Sequence, residues 1–121
     1  MWHPGIGSAF NTYVYHYDAN GVNTIHNADG IAVHSPDPAN YYLDANATVD
    51  PVSHDIIIAY IQVDANIQSN DRIFINRITP TGEKVWDDGI MVADYEGVPY
   101  GNLRVDAFED GSGFSLVYEK I

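Results

Sequence analysis

The sequence predicts an all-β protein built from two four-stranded antiparallel repeats. Three observations carry this expectation. Short runs rich in β-branched and aromatic residues are separated by Gly, Asn, Asp and Pro turn signals along the whole chain. No stretch of useful length shows the i, i+3, i+4 apolar spacing of an amphipathic helix. The stretch Arg72–Val92 has an earlier counterpart from Thr12 to Val33, with Asp-Gly-Ile-x-Val at 88–92 already present at 29–33. Repetition at this scale speaks to architecture and is nearly silent about chemistry.

The chain begins with a lead-in, residues 1–9, punctuated by Pro4, Gly5 and Gly7. The first repeat spans 10–63. Thr12 to Tyr17 reads as a strand, and Asp18-Ala19-Asn20-Gly21 as a tight hairpin turn, because Asn and Gly tolerate positive φ. Val22 to Ile25 is the return strand. Asn27 to Gly30 turns again, and Ile31 to Val33 is short and apolar. Pro36 and Pro38 make His34 to Tyr41 a loop. Leu43 to Val49 is a strand, Asp50 to Asp55 a turn, and Ile56 to Ile61 a continuous apolar run expected to be buried on both faces.

The second repeat spans 64–121. It opens with the polar connector Asp64–Asp71 and continues with a strand, a turn at Gly82, a strand ending on Trp86 and a short strand at 90–92. Leu103, Val105 and Ala107 alternate with Arg104 and Asp106, as in a strand with one wet face. The Asp110-Gly111-Ser112-Gly113 turn leads to the last strand, Phe114–Tyr118. Phe74 lies 61 residues after Tyr13, Leu103 lies 60 after Leu43, and Tyr118 lies 58 after Tyr60. The offset drifts where turns differ in length.

Four short antiparallel strands in each of two successive repeats describe a propeller blade. The run Asp71, Ile73-Phe74-Ile75-Asn76-Arg77-Ile78, Gly82, Val85-Trp86, Gly89-Ile90-x-Val92 resembles the repeat of exported bacterial β-propeller-like proteins, many of them from Bacteroidota. The resemblance covers 11–62 and 71–120. It departs from the pattern at Arg72, an extra residue, and at Tyr60 and Tyr118, which stand where the pattern has Trp. It implies two blades and an extracellular or cell-surface setting.

Two blades cannot close a ring, since propellers have about four to eight. Three arrangements resolve this: a homo-oligomer of several copies, a place within a longer chain, or a two-sheet β-sandwich inside one chain.

Composition sets further bounds. Seventeen acidic residues against five basic ones give a net charge of −12, which disfavours nucleic acid and anionic lipid as partners. The absence of cysteine excludes disulfides, thiolate metal sites and a cysteine nucleophile. No apolar run approaches the roughly 20 residues of a membrane-spanning helix. Residues 1–7 lack the basic and apolar regions of a secretory signal, so the chain reads as a mature form, a cytosolic protein or a fragment, the first and last fitting the implied surface setting.

Candidate chemistry is sparse. The tyrosines suggest a carbohydrate-binding surface, with Tyr13, Tyr15 and Tyr17 on one strand face by period two, and Trp86 as a second stacking residue. Asp64, Asn66 and Asn70 place oxygen ligands along a loop in the manner of a calcium site. Ordinary Asx-turn chemistry accounts for the same residues, and a calcium loop would want Gly where Ser69 stands and Glu where Ile75 stands. Asp87-Asp88 is an adjacent carboxylate pair whose side chains are expected to diverge. None of the five histidines shares a metal-ligand spacing with another. Asn46-Ala47-Thr48 fits a glycosylation pattern that is accidental in a bacterial setting.

These features lead to a non-catalytic structural or interaction module of an exported bacterial surface protein. The alternative is a lectin formed by an oligomeric or longer propeller. Expected partners are further copies, a glycan or another surface protein.

Overall fold

The computed structural model describes residues 12–25, 27–35 and 39–121. The lead-in, His3 and His26 lie outside the described residues, as do Pro36 and Pro38. Eight strands follow in order: β1 (Tyr13–Val14), β2 (Ile31–Ala32), β3 (Asn40–Val49), β4 (Ile56–Asp64), β5 (Asp71–Ile78), β6 (Ile90–Ala93), β7 (Tyr100–Ala107) and β8 (Phe114–Lys120). All pairings are antiparallel, as expected of an all-β chain.

The strands form a β1–β2 pair, a four-stranded sheet β3–β4–β5–β6, and a β7–β8 pair. One four-stranded sheet is therefore present where two were expected. It draws β3 and β4 from the first half and β5 and β6 from the second. The reason is local. Asp64 Oδ1 accepts the N–H groups of Asn66 and Ile67, and this Asx turn folds β5 back onto β4, from Ile56↔Ile78 to Val63↔Asp71. The expected boundary at 63/64 falls inside this hairpin. No closed barrel or ring forms among the described residues.

β4 fixes the layering. Its apolar run leaves neither face fit for water, so each face is covered by a different layer. The front face presents Ile56, Ile58 and Tyr60, joined by Ile78 and Tyr42, to Val14, Ile25 and Val33 of the first hairpin. On the back face, Ala59, Ile61, Val63 and Ile73 meet Tyr100 and Leu103. Ile57 and Ile75 meet Val105, with Trp86, Phe114 and Leu116 packed around them. The molecule is a stack of three layers rather than the two sheets of a sandwich.

Hydrogen bonds of the first hairpin recur in the β5–β6 region. Asp18 N–H to Val22 O and Gly21 N–H to Asp18 O reappear as Thr79 N–H to Glu83 O and Gly82 N–H to Thr79 O, an offset of 61. The β3–β4 and β7–β8 ladders carry the same bulge, between Leu43 and Asn46 and between Gly101 and Arg104. Their offset is 58, not the 60 that pairs Leu43 with Leu103. Positive φ at Asp44 and Asn102 marks the two bulges. Val85–Trp86, expected as strand, is a turn entered from the Ile78↔Lys84 bridge, with Asp87 at φ 51°.

Asn76 is the polar pin of this stack. It is fully buried on β5, and its Nδ2 donates to Val33 O and to Asp87 O, while its Oδ1 accepts Trp86 N–H. One side chain thus ties the central sheet to the end of the first hairpin and to the Trp86 turn. Asn76→Ala is expected to leave these groups unpaired in a dry environment and to cost about 2 kcal/mol in chemical denaturation. Gly89→Ala is expected to be more damaging than Gly97→Ala. Both glycines have positive φ, but a Cβ on Gly89 would lie 2.5 Å from Tyr60 Oη, whereas one on Gly97 meets nothing. The Gly97 variant should show only the backbone penalty of about 1 kcal/mol.

Candidate functional site

A cleft of about 310 Å³ opens on the front face of the central sheet. Tyr42, Tyr60, Gln62 and Phe74 rise from the sheet, and His34, Ser35 and Asp88 close the rim.

The rings interlock. His34 stacks on Tyr42 at 3.6 Å between centroids, Tyr42 meets Tyr60 edge-on at 5.8 Å, and Tyr60 stacks on Phe74 at 6.0 Å. The polar groups bond to one another. Tyr60 donates its hydroxyl hydrogen to Asp88 O at 2.7 Å. Gln62 Nε2 donates to the Tyr42 hydroxyl at 2.9 Å, and its Oε1 accepts from Arg72. Asp88 Oδ1 accepts both the N–H and the hydroxyl of Ser35, and Lys84 lies 3.5 Å away.

Electrostatics leave this cleft without a poised acid or base among the groups that shift. Burial drives the Tyr60 hydroxyl far above its ordinary range, with Tyr42 and Asp88 adding to the effect. The Ser35 hydroxyl holds Asp88 below the usual carboxylate value. Both groups keep one protonation state through neutral pH.

The residues singled out from the sequence lie elsewhere. Tyr13 and Tyr15 sit on the outward face of the first layer, 54% and 43% exposed, and Tyr17 continues the row. Tyr15 and Tyr17 stack at 6.2 Å. Trp86 lies on the opposite side of the central sheet, tilted against Phe114 at 6.2 Å. The structure does not bring Trp86 together with the tyrosine row. Asp64 spends its Oδ1 on the turn, and the main chain of Asn70 donates to Ile67 O and accepts from Asp64. Asn46, the glycosylation-pattern residue, accepts Val105 N–H across two layers.

A charged cluster escaped the sequence reading. Arg77 on β5 reaches Asp55 Oδ2 at 2.6 Å and Asp50 Oδ2 at 2.9 Å, and also bonds Ser53. Asp50 accepts Val52 and Ser53 N–H with its other oxygen. Those backbone donors, and then Arg77, hold the Asp50 carboxyl below its ordinary value of 3.8. Asp71 shows the reverse. Its Oδ2 accepts Tyr100 N–H, its Oδ1 is buried with no hydrogen-bond partner, and burial raises its carboxyl. Both assignments depend on pairing across β4–β5 and β5–β7, which no local spacing announces.

No family model, no curated protein and no solved structure matches this chain.

The Asp50 cluster sets a pH dependence. A carboxyl depressed by folding contributes stability above its unfolded value, and that contribution is lost as pH falls through the folded one. Arg77→Met is therefore expected to lower the melting temperature at pH 7, where it strands two carboxylates. The deficit should shrink as pH drops below about 4 and Asp50 protonates, and thermal melts across pH 3–7 check this.

Proposed function

We propose that the chain is a non-catalytic structural and interaction module that associates with units of its own kind. One observation carries this reading. The exposed apolar surface coincides with the unfilled halves of incomplete layers. Ile90 and Met91 on β6 are each 48% exposed, and among the described residues β6 has no further strand on its outer edge. β7–β8 lies mainly over β3 and β4, touching β6 only at Ala93. The tyrosine row of β1 faces outward on the other side of the stack. By the β5–β6 register Ile90 shares the back face with Ile75 and Met91 the front face with Phe74, and apolar surface on both faces of a sheet edge marks an association surface. The exported, bacterial surface setting rests on the resemblance of 71–92 to the repeat of such proteins.

Sedimentation velocity over a range of concentrations tests the reading. Association that strengthens with added salt is expected, because screening relieves the self-repulsion of a −12 chain. Ile90→Asp should abolish it while changing monomer stability by no more than about 0.5 kcal/mol, as for a surface position. A chain that stays monomeric at all concentrations and ionic strengths overturns it.

The cleft supports a second reading, as a carbohydrate site. Phe74 offers a half-buried ring, and Gln62 and Asp88 offer hydrogen-bonding groups at the rim. Saturable binding on a glycan array, lost in Gln62→Ala, is the expected result, and an array without signal removes this reading.

A further inference from the structure

We infer that two copies of this chain join by completing each other's outer layers, β1–β2 of one copy pairing with the free edge of β8 in the other. The inference rests on the self-association reading and adds to it the surface, the register and the occupant.

The template lies inside the chain. β7–β8 repeats β3–β4 at an offset of 58, down to the bulge. β1 and its turn repeat β5 and its turn at an offset of 61. In the central sheet β4 pairs with β5. Among the described residues, β8, the counterpart of β4, has no partner beyond β7, and β1, the counterpart of β5, has no partner beyond β2. The two half-layers are the missing halves of one four-stranded sheet. They cannot meet within one molecule, because they lie on opposite faces of the central sheet, about 20 Å apart at two layer spacings.

The other edge of β7 is already blocked. Asn46 Oδ1 accepts Val105 N–H and Thr48 Oγ1 accepts Ala107 N–H, tying β7 to β3. Only the β8 side is open. Carrying the β4–β5 register across by the two offsets gives Ser115↔His16, Val117↔Val14 and Glu119↔Thr12, from Ile57↔Arg77, Ala59↔Ile75 and Ile61↔Ile73.

This register matches side chains as well as edges. Phe74, the counterpart of Tyr13, packs toward the first layer. By the same placement Tyr13, Tyr15 and Tyr17 of the second copy come to lie on exposed Ile90, beside the half-buried Trp86. Gly82 also fits. A Cβ there would meet Ile25 and Ile31 within 3.1 Å, the counterparts of Trp86 and Ile90, whereas Gly21, the counterpart of Gly82, faces open space. In the joined pair Gly21 closes on the neighbour's Trp86 and Ile90.

The complementary vacancy is the cleft. It is lined by Gln62, Phe74 and Asp88 beside the buried ring of Tyr42. In the pair the outer face of β7–β8 covers it. That face is polar, with Arg104, Asp106, Ser115 and Glu119 exposed around Val117. Arg104 alone among the five basic residues makes no ion pair among the described residues. It is thereby available to the acidic rim at Asp88. The contact is head-to-tail, so it propagates to a ring or a filament.

Cysteine scanning tests the register, since the chain has no cysteine of its own. Ser115→Cys mixed with His16→Cys, and Glu119→Cys mixed with Thr12→Cys, should each give a covalent dimer on mild oxidation. Ser115→Cys mixed with Thr12→Cys, four residues out of register, should not. Thermal melts establish that every variant folds. Tyr17→Asp, at a position 58% exposed, should disperse the assembly while leaving the melting temperature of the monomer in place. Association in sedimentation with no in-register cross-link overturns this inference and leaves the self-association reading standing. A strictly monomeric chain overturns both.

Discussion

The structure depends on the burial of β4 on both faces. Six consecutive apolar residues, Ile56 to Ile61, offer no side on which water is tolerated, so a single covering layer is not enough. The first hairpin takes one face and β7–β8 takes the other. Each burial of an isoleucine there is worth about 2 kcal/mol, and the strand carries four of them. The polar exceptions next to β4 are all answered by long-range bonds. Asn76 serves four partners, Arg77 gathers two carboxylates, and Asp71 receives one backbone donor while burial raises its carboxyl.

Much of the strand pattern was legible in the sequence, because it is written in local signals. The Asp18–Gly21 turn, the buried run of β4 and the alternation of β7 all follow from residue types within a few positions. Sheet membership was less legible. The repeat suggested that each half keeps its own four strands, but the Asx turn at Asp64 folds β5 back onto β4 and joins the two halves in one sheet. The offset of 60 drawn from Leu43 and Leu103 misled for a related reason. Leucine identity is a weaker marker than a bulge, and the bulges set the ladders 58 apart.

The candidate site was legible in kind and not in place. Tyrosine density pointed to an aromatic surface, and two such surfaces exist. The row at Tyr13, Tyr15 and Tyr17 follows from period two within one strand. The cleft beside Tyr42, Tyr60 and Phe74 requires three strands in register, which no local spacing announces. Gln62 and Asp88 reach it from positions that carry no motif. Trp86 was chosen for its ring and sits instead between layers against Phe114.

The shared central sheet has a consequence for how the molecule comes apart. Because two of its strands belong to each half, neither half holds a finished sheet when alone. Severing the Asp64–Asp71 loop would give two pieces, each with a bare, apolar edge of its own, and each the natural mate of the other. Synthesis meets the same situation. Until β5 emerges, β4 has an unclaimed edge rich in isoleucine, so the nascent first half is the stage most in need of protection from aggregation.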